Sequence, residues 1–184
     1  LVGYMMPMSV TALLGKNLFL LDGGVINDLL MKVHLISSPI DWLVNGGTAL
    51  GAVIAVNCWV GIPFNMLLLT SGLTGISTDI YESASMDGAN AFKRFIYITL
   101  PLMKPAMLSV LMLGFIYTFK AFDLMYIMTA GGPFNSTDVL GTYAYSKAFT
   151  QYEFSQGSAI AMVLFACLFL VGIFYLKLLS KEDD

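Results

Sequence analysis

The 184-residue sequence is 58% hydrophobic and only 11% charged, with a mean hydropathy of +0.79 and a formal net charge of -3. Soluble domains usually carry about 25% charged residues, so this composition excludes an ordinary soluble protein. The sequence has no basic run and no RNA-type aromatic motif, which excludes nucleic acid as a partner.

The same composition argues against a metal or catalytic centre. His34 is the only histidine, so a His-based metal site is not expected. Cys58 and Cys167 both lie in apolar stretches, where buried free thiols are the expected state. We therefore predict no catalytic residue, no metal and no cofactor.

Four apolar stretches are candidates for membrane-spanning helices, each of which needs about 20 apolar residues. No charged residue lies between Asp41 and Asp79, or between Glu153 and Lys177. Pro7 is expected to kink the first span. The sequence predicts an all-α polytopic membrane protein with one domain over residues 1–184 and spans at about 1–14, 48–69, 105–128 and 158–176.

The ends of the chain and the charges of its loops suggest an orientation. The sequence begins at Leu1, inside an apolar run and with no initiator Met or cleavage site, so we interpret it as lacking its N-terminal part. Four spans would put the 71–104 loop and the C-terminal tail on one side. Five Lys and Arg residues lie there, against three or four in the opposite loops, which favours a cytoplasmic side.

The loop between the second and third predicted spans carries the most informative pattern. Asp79 and Glu82 have the spacing of a capping box, which predicts the start of a short helix. Gly88 can end or bend this helix, because glycine accepts a left-handed backbone. A second short helix is predicted over about 89–96, and Leu100-Pro101 is expected to break the pattern before the next span. These features together predict a protruding two-helix elbow.

Three parts of this elbow resemble a known signature. Tyr81-Glu82-Ser83-Ala84, Asp87-Gly88-Ala89 and Ile98-Thr99-Leu100-Pro101 resemble the "EAA" signature of the inner-membrane permeases of binding-protein-dependent ABC importers. Ser83 stands where the first alanine is usual, and Ser77 stands where a proline often precedes the helix. Both are small residues that suit a helix start, so the resemblance holds.

Two further segments resemble sugar permeases of the same family. Residues 57–64 are similar to the helix that precedes the elbow, and residues 129–149 are similar to the external loop of the maltose-permease-like member of a permease pair. The resemblance implies a type I importer (MetI-like) permease core in the cell membrane. It also implies transport of a di- or oligosaccharide, or of glycerol phosphate.

The resemblance implies partners and coupling residues as well. The partners are a second permease subunit in a heterodimer, two ATPase subunits that hydrolyse ATP in place of this chain, and an extracytoplasmic solute-binding protein. The elbow would lie in a cleft of the ATPase. The implied coupling residues are Glu82, Ala84, Asp87, Gly88, Ala89, Leu100 and Pro101. Capping of the short helices by Glu82 or Asp87, and a simple entry into the next span at Pro101, are the structural alternatives.

Two helical stripes are candidates for the solute pathway. One helix face carries Asn57, Val60, Gly61 and Phe64, and a similar stripe on the third span carries Gly114 and Tyr117. Sugar hydroxyls need hydrogen-bond partners and aromatic rings stack on sugar faces, so these stripes could line a sugar path. Ordinary helix packing explains the same pattern, because glycine permits close approach and an amide bonds a neighbour.

Three alternatives stay open: a permease for a non-sugar solute, a membrane enzyme and a structural membrane subunit. A membrane enzyme would need a catalytic set within its spans, and a structural subunit would not need the elbow signature. Lys120 and Asp123, three residues apart, are expected to form a local ion pair at the outer interface. The alternative for this pair is a role in drawing in a charged solute.

Overall fold

The computed structural model describes residues 2–119 and 121–180, and this part of the chain contains helices and no strands. The all-α prediction is therefore confirmed for the described residues. In chain order the helices are α1 (Val2–Met5), α2 (Met8–Leu18), α3 (Val25–Lys32), α4 (Gly46–Thr74), α5 (Thr78–Met86), α6 (Ala91–Leu102), α7 (Lys104–Phe119), α8 (Asp123–Thr129), α9 (Leu140–Tyr145) and α10 (Phe154–Ser180).

Two of the described helices are long and apolar enough to cross a membrane. These are α4, with 29 residues, and the Phe154–Lys177 part of α10. A third span exists if α6 and α7, which meet at an angle of 64°, are counted as one bent helix. Both helices are longer than the predicted spans at 48–69 and 158–176. The cysteines are free, but Cys58 lies on the surface of the chain rather than in its interior.

The first predicted span is two short helices. The kink expected at Pro7 is confirmed, since α1 ends at Met5 and α2 begins at Met8. The Thr11 hydroxyl donates to the Pro7 carbonyl over 3.3 Å, beside the backbone bond from the Thr11 amide. Helix α2 continues to Leu18, four residues beyond the predicted end, and Leu1 lies outside the described residues.

The predicted span over 105–128 is interrupted and consists of two helices in the structure. Helix α7 ends at Phe119 and α8 begins at Asp123, an acidic residue that suits the positive end of the helix dipole. Leu124, Met125 and Met128 of α8 are buried, with 9% exposure or less. Burial of these three side chains against α2 and α4 compensates for the interrupted backbone.

The hydrophobic core lies where α2, α4 and α8 meet. Ala12 of α2 and Phe19, which directly follows α2, pack with the first half of α4 and with the buried face of α8. The N-terminus of α4 also lies beside the loop that follows α8, since Gly46 neighbours Ser136 and Pro133. We call this the far end of the molecule, because α4 leads away from it to the elbow formed by α5 and α6.

The far end is fastened by one buried amide, Asn27 of α3. It is 1% exposed, and its amide nitrogen donates to the carbonyls of Leu20, Leu21 and Ile40. Its carbonyl oxygen accepts from the Ile40 amide and from the Trp42 indole, at 3.1 and 2.8 Å. This one side chain therefore ties the end of α2 to the segment that leads into α4.

Small residues let the helices cross closely at the elbow end. A Cβ atom built on Gly72 of α4 would lie 2.6 Å from the Cβ atom of Ala106 on α7, which is closer than two non-bonded carbon atoms approach. Nearby, the hydroxyls of Ser109 on α7 and Tyr175 on α10 share a hydrogen bond of 2.9 Å. Close backbone approach and shared hydroxyls are the usual means of packing helices in lipid.

We predict that Gly72→Leu destabilises the protein by roughly 1–3 kcal/mol, because the backbones of α4 and α7 must separate. Gly51→Leu on the same helix is the matched control, since a Cβ atom there meets no described atom within 4 Å. The measurement is the thermal midpoint of the detergent-purified protein. Equal midpoints for the two variants would contradict this packing.

Candidate functional site

The first helix of the elbow is capped by a residue other than the predicted ones. Helix α5 begins at Thr78, and the hydroxyl oxygen of Ser77 accepts from the Asp79 amide at 3.3 Å. The predicted capping box of Asp79 and Glu82 is therefore wrong. Ser77 is preferred here because its short side chain reaches back to the free amides of the first turn. The Glu82 side chain is exposed and makes no hydrogen bond to the described residues of the elbow.

The turn between α5 and α6 explains three of the predicted coupling residues. Gly88 has a φ of +78°, and the bend expected there is confirmed. The Gly88 amide donates to the Ser85 carbonyl, and the Ala89 amide donates to the Ala84 carbonyl at 2.9 Å. This pair of bonds is a Schellman motif, in which only glycine fits the left-handed position without strain.

Asp87 closes α5, and a different residue begins α6. Asp87 is the C-cap residue of α5 and is exposed. The side-chain oxygen of Asn90 accepts from the Lys93 amide at 2.9 Å and so caps α6. Capping of the second helix by Asp87, one of the two roles considered for it, is therefore not observed.

Two side-chain bridges hold α5 against α6. The hydroxyls of Tyr81 and Thr99 share a hydrogen bond of 2.9 Å, and Arg94 donates to the Ser85 hydroxyl oxygen at 2.7 Å. Thr99 is buried. Sequence reasoning missed these bridges, although Tyr81 and Thr99 both lie in the quoted signature. Because of the bridges, the elbow can move as one body.

The break expected at Leu100-Pro101 lies two residues further on. A π-helical turn covers Phe95–Thr99, and the Leu100 amide donates to the Phe95 carbonyl, five residues back. The wider turn accommodates Pro101, which lacks an amide and whose ring would clash in a regular α-helix. Leu100 and Pro101 are thus helical, and the 64° bend follows at Met103.

All six predicted pathway residues line one cavity of about 450 Å³: Asn57, Val60, Gly61, Phe64, Gly114 and Tyr117. Ligand cavities in proteins range over roughly 300–1,000 Å³. The stretch from Asn57 to Phe64 spans the middle of α4, and Tyr117 lies near the end of α7. Tyr117 is 57% exposed, so the cavity is open on one side.

The cavity walls combine aromatic rings, amides and bare backbone. The Phe64 ring stacks on Tyr4 at 5.3 Å between centroids and meets the edge of Tyr117 at 5.7 Å. A Cβ atom on Gly114 would meet no described atom within 4 Å, and one on Gly61 would meet only the Asn65 amide at 4.0 Å. Within this chain the two glycines therefore do not serve close helix packing.

The cavity lies where two interrupted helices separate from the unbroken α4. Its lining includes Met6 and Met8 on either side of Pro7, and Thr118 and Asp123 on either side of the α7–α8 break. Sequence reasoning did not assign these residues to the solute pathway, because their place in the cavity depends on where the helices break. Lys120 lies outside the described residues, so its expected ion pair with Asp123 stays a prediction.

Fold and site together define a helical membrane protein with a half-open cavity between its spans and a rigid elbow at one end. The sequence model described as "Binding-protein-dependent transport system inner membrane component" matches residues 1–181, and the chain belongs to this family. The elbow signature and the cavity residues lie within the matched region.

Individual relatives carry sugar-related names. The chain is 33% identical over 177 residues to the "Trehalose/maltose transport system permease protein MalF" of Thermococcus litoralis, covering 96% of this chain and 59% of that protein. It is 33% identical over 183 residues to the "Sulfoquinovosyl glycerol transport system permease protein SmoG" of Agrobacterium fabrum, covering 100% and 59%. This chain thus spans about three-fifths of their length.

A solved structure shares the fold. It is described as the "Crystal structure of bacterial alginate ABC transporter in complex with alginate pentasaccharide-bound periplasmic protein". One of its chains superposes with a TM-score of 0.83 at 20% identity, covering 95% of this chain and 60% of that one. At this identity the similarity shows the fold alone.

We predict that Gly88→Ala speeds hydrogen exchange of the elbow amides by about 5–30-fold, because a side chain at this φ costs roughly 1–2 kcal/mol. Gly88→Asn should have a smaller effect, since asparagine tolerates the left-handed conformation. Gly75→Ala is the control, because Gly75 has an ordinary φ of -75°. Exchange in Gly88→Ala at the native rate would contradict the assigned turn.

Proposed function

We propose that this chain is a permease subunit of an ATP-driven importer for a carbohydrate, and that it forms half of the solute pathway. The observation that carries the proposal is the cavity, which brings six residues from two helices around one space. A half-open cavity fits a pathway between two subunits, because a second permease would close the open side. We infer that this chain forms a heterodimer with a second permease subunit.

The chemistry of the cavity supports a carbohydrate. Sugars present apolar faces and many hydroxyls, and the cavity offers Phe64 and Tyr117 for the faces and the Asn57 and Asn65 amides for the hydroxyls. The lining is mostly apolar with a few polar groups, as is usual for ligand sites. The names of the trehalose/maltose and sulfoquinovosyl glycerol relatives point to the same solute class.

The elbow supports coupling to two separate ATPase subunits. The Schellman turn and the two side-chain bridges make the elbow stiff. Glu82 and Asp87 are exposed on the elbow, where a cation of the ATPase could contact them. Ala84, Gly88 and Ala89 set the shape of the elbow. Leu100 and Pro101 set how the chain enters the membrane from the elbow. ATP binding would shift the populations of inward- and outward-open states through this contact. This chain itself would catalyse nothing.

We further propose a topology with four spans, about 1–14, 48–69, 105–128 and 158–176, in a single permease domain over 1–184. The long α4 and α10 support two of these spans, and α7 supports a third, reaching the length of a span when the adjoining end of α6 is added. The elbow and the C-terminus would lie in the cytoplasm, and the far end would face the extracytoplasmic solute-binding protein. The excess of Lys and Arg on the elbow side supports this orientation.

We predict that Tyr117→Ala lowers the uptake of labelled sugar by the reconstituted complex roughly tenfold, because a stacking ring is lost. Phe115→Ala on the same helix is the matched control, since Phe115 packs on Phe119 instead of lining the cavity. Uptake is measured with a panel of mono-, di- and oligosaccharides. Sugar uptake that is indifferent to Tyr117 would contradict the pathway, and no uptake of any sugar by the native complex would refute the solute class.

We predict that Glu82→Ala weakens retention of the ATPase by the purified permease about tenfold or more, because a charged contact loses one partner. Asp79→Asn removes one charge from the first turn of the same helix and serves as the control. ATPase retention after gel filtration is the measurement. A native level of retention and transport in Glu82→Ala would remove Glu82 from the coupling contact.

A further inference from the structure

Two aromatic residues occupy backbone positions that suit glycine. Among residues 2–119 and 121–180, five non-glycine residues have a left-handed φ. Asparagine and histidine are tolerated there, which accounts for His34 and Asn135, but a bulky side chain is an outlier. Phe134, with a φ of +49°, and Tyr152, with a φ of +59°, are such outliers. Both positions cost free energy that glycine would not.

Neither ring makes a stabilising side-chain contact with the described residues. Phe134 is 100% exposed and Tyr152 is 76% exposed. Among the described residues neither ring takes part in a ring–ring contact or a side-chain hydrogen bond, although the neighbouring Phe149 and Phe154 do contact each other. The gain that offsets the backbone strain and the exposed apolar surface therefore lies outside this chain.

The backbone holds Phe134 in place. The turn around it is closed by the bond from the Ser136 amide to the Pro133 carbonyl, at 2.9 Å. Next to this turn, the buried Thr137 hydroxyl donates to the Gly132 carbonyl at 2.7 Å and lies 2.6 Å from the Thr129 hydroxyl. The ring is therefore presented from a fixed loop.

Tyr152 is held in a similar way after the π-helical turn Ser146–Thr150. The amide of Gln151 donates to the Ser146 carbonyl, and the amide of Glu153 donates to the Lys147 carbonyl, both at 2.9 Å. The Lys147 ammonium and the Glu153 carboxylate form an ion pair at 3.0 Å. Aromatic groups fixed in advance lose little freedom on binding, so they make efficient anchors.

Phe134 lies in the loop that follows α8 and so belongs to the far end. The Tyr145 ring contacts the rings of Tyr126 on α8 and of Phe149, which places the segment before Tyr152 beside the same end. The two rings flank the helical segment 140–150, which is about 16 Å long at 1.5 Å per residue. A typical protein interface buries about 800 Å² per partner, enough to cover both. The exposed Phe149 and Phe154 lie beside Tyr152 and extend this aromatic surface. The exposed polar neighbours of the rings are Asn135, Gln151 and Glu153. An aromatic centre with a polar rim is the composition of a protein interface, whereas a lipid-facing surface would be apolar throughout.

We propose that Phe134 and Tyr152 are the two anchors through which the far end docks the extracytoplasmic solute-binding protein. This inference rests on the proposed importer function and on the orientation that places the far end outside the cell. It assigns docking to two residues that the cavity and the elbow do not use.

The test uses the whole complex in nanodiscs and the purified solute-binding protein that stimulates its ATP hydrolysis. Phe134→Gly and Tyr152→Gly relieve the strained backbone and remove the ring. We expect the concentration for half-maximal stimulation to rise at least about tenfold for each variant. Basal ATP hydrolysis should be unchanged, and the thermal midpoint should be equal or higher. A ring needed only for folding would instead lower the midpoint.

Ala130→Gly is the matched control, because Ala130 precedes the same loop with a φ of +51° and carries no ring. It should leave half-maximal stimulation unchanged. Stimulation of both ring variants at the native concentration overturns the proposal. A nitroxide on Phe134→Cys, with Cys58 and Cys167 replaced by serine, tests the other occupants. Preferential collision with oxygen places it in lipid, and burial before the binding protein is added places it against another subunit; either result also overturns the proposal.

The test also distinguishes an error in the proposed importer function from an error in the assignment of the two anchors. If the native complex is stimulated by no binding protein and takes up no sugar, the function itself is wrong. If the native complex is stimulated and takes up sugar while the ring variants dock normally, only the assignment of the two anchors is wrong.

Discussion

Lipid cannot hydrogen-bond a peptide group, so the free peptide groups at each interruption of a membrane helix must bond to protein or face a water-filled cavity. The chain interrupts its helices beside Pro7, between α7 and α8, and at Met103. The first two breaks border the cavity, which forms where these helices separate from the unbroken α4. The third break turns the chain from the elbow into α7. The cavity and the elbow therefore both lie where a regular helix is interrupted.

The two ends of the molecule are held together by different contacts. At the elbow end, hydroxyl and guanidinium bridges join α5 and α6. Under the proposed function, a force on Glu82 or Asp87 would therefore move both helices together. At the far end, Asn27 ties α2 to the segment before α4, and the core of α2, α4 and α8 lies just beneath. The cavity is between these two stiff regions. Relative motion of the ends would therefore act on the walls of the cavity.

Backbone strain also differs between the two ends of the molecule. Gly88 takes the left-handed turn of the elbow without cost, and its neighbours complete the turn with backbone bonds alone. At the far end, Phe134 and Tyr152 take the same conformation at a cost. Where only shape is needed the sequence has glycine, and where a ring must be displayed the sequence keeps the ring and accepts the strain.

The sequence by itself determined the membrane class, the long apolar helices, the kink at Pro7, the bend at Gly88 and the elbow, because hydropathy, proline and glycine act locally. It also selected six residues that share a cavity, because residues three or four apart share a helix face. Only the tertiary structure decided that Ser77 caps α5, that the bend falls at Met103 and that α8 separates from α7. These features depend on which amides stay free and which side chains the core of α2, α4 and α8 can bury, and local spacing does not contain that information.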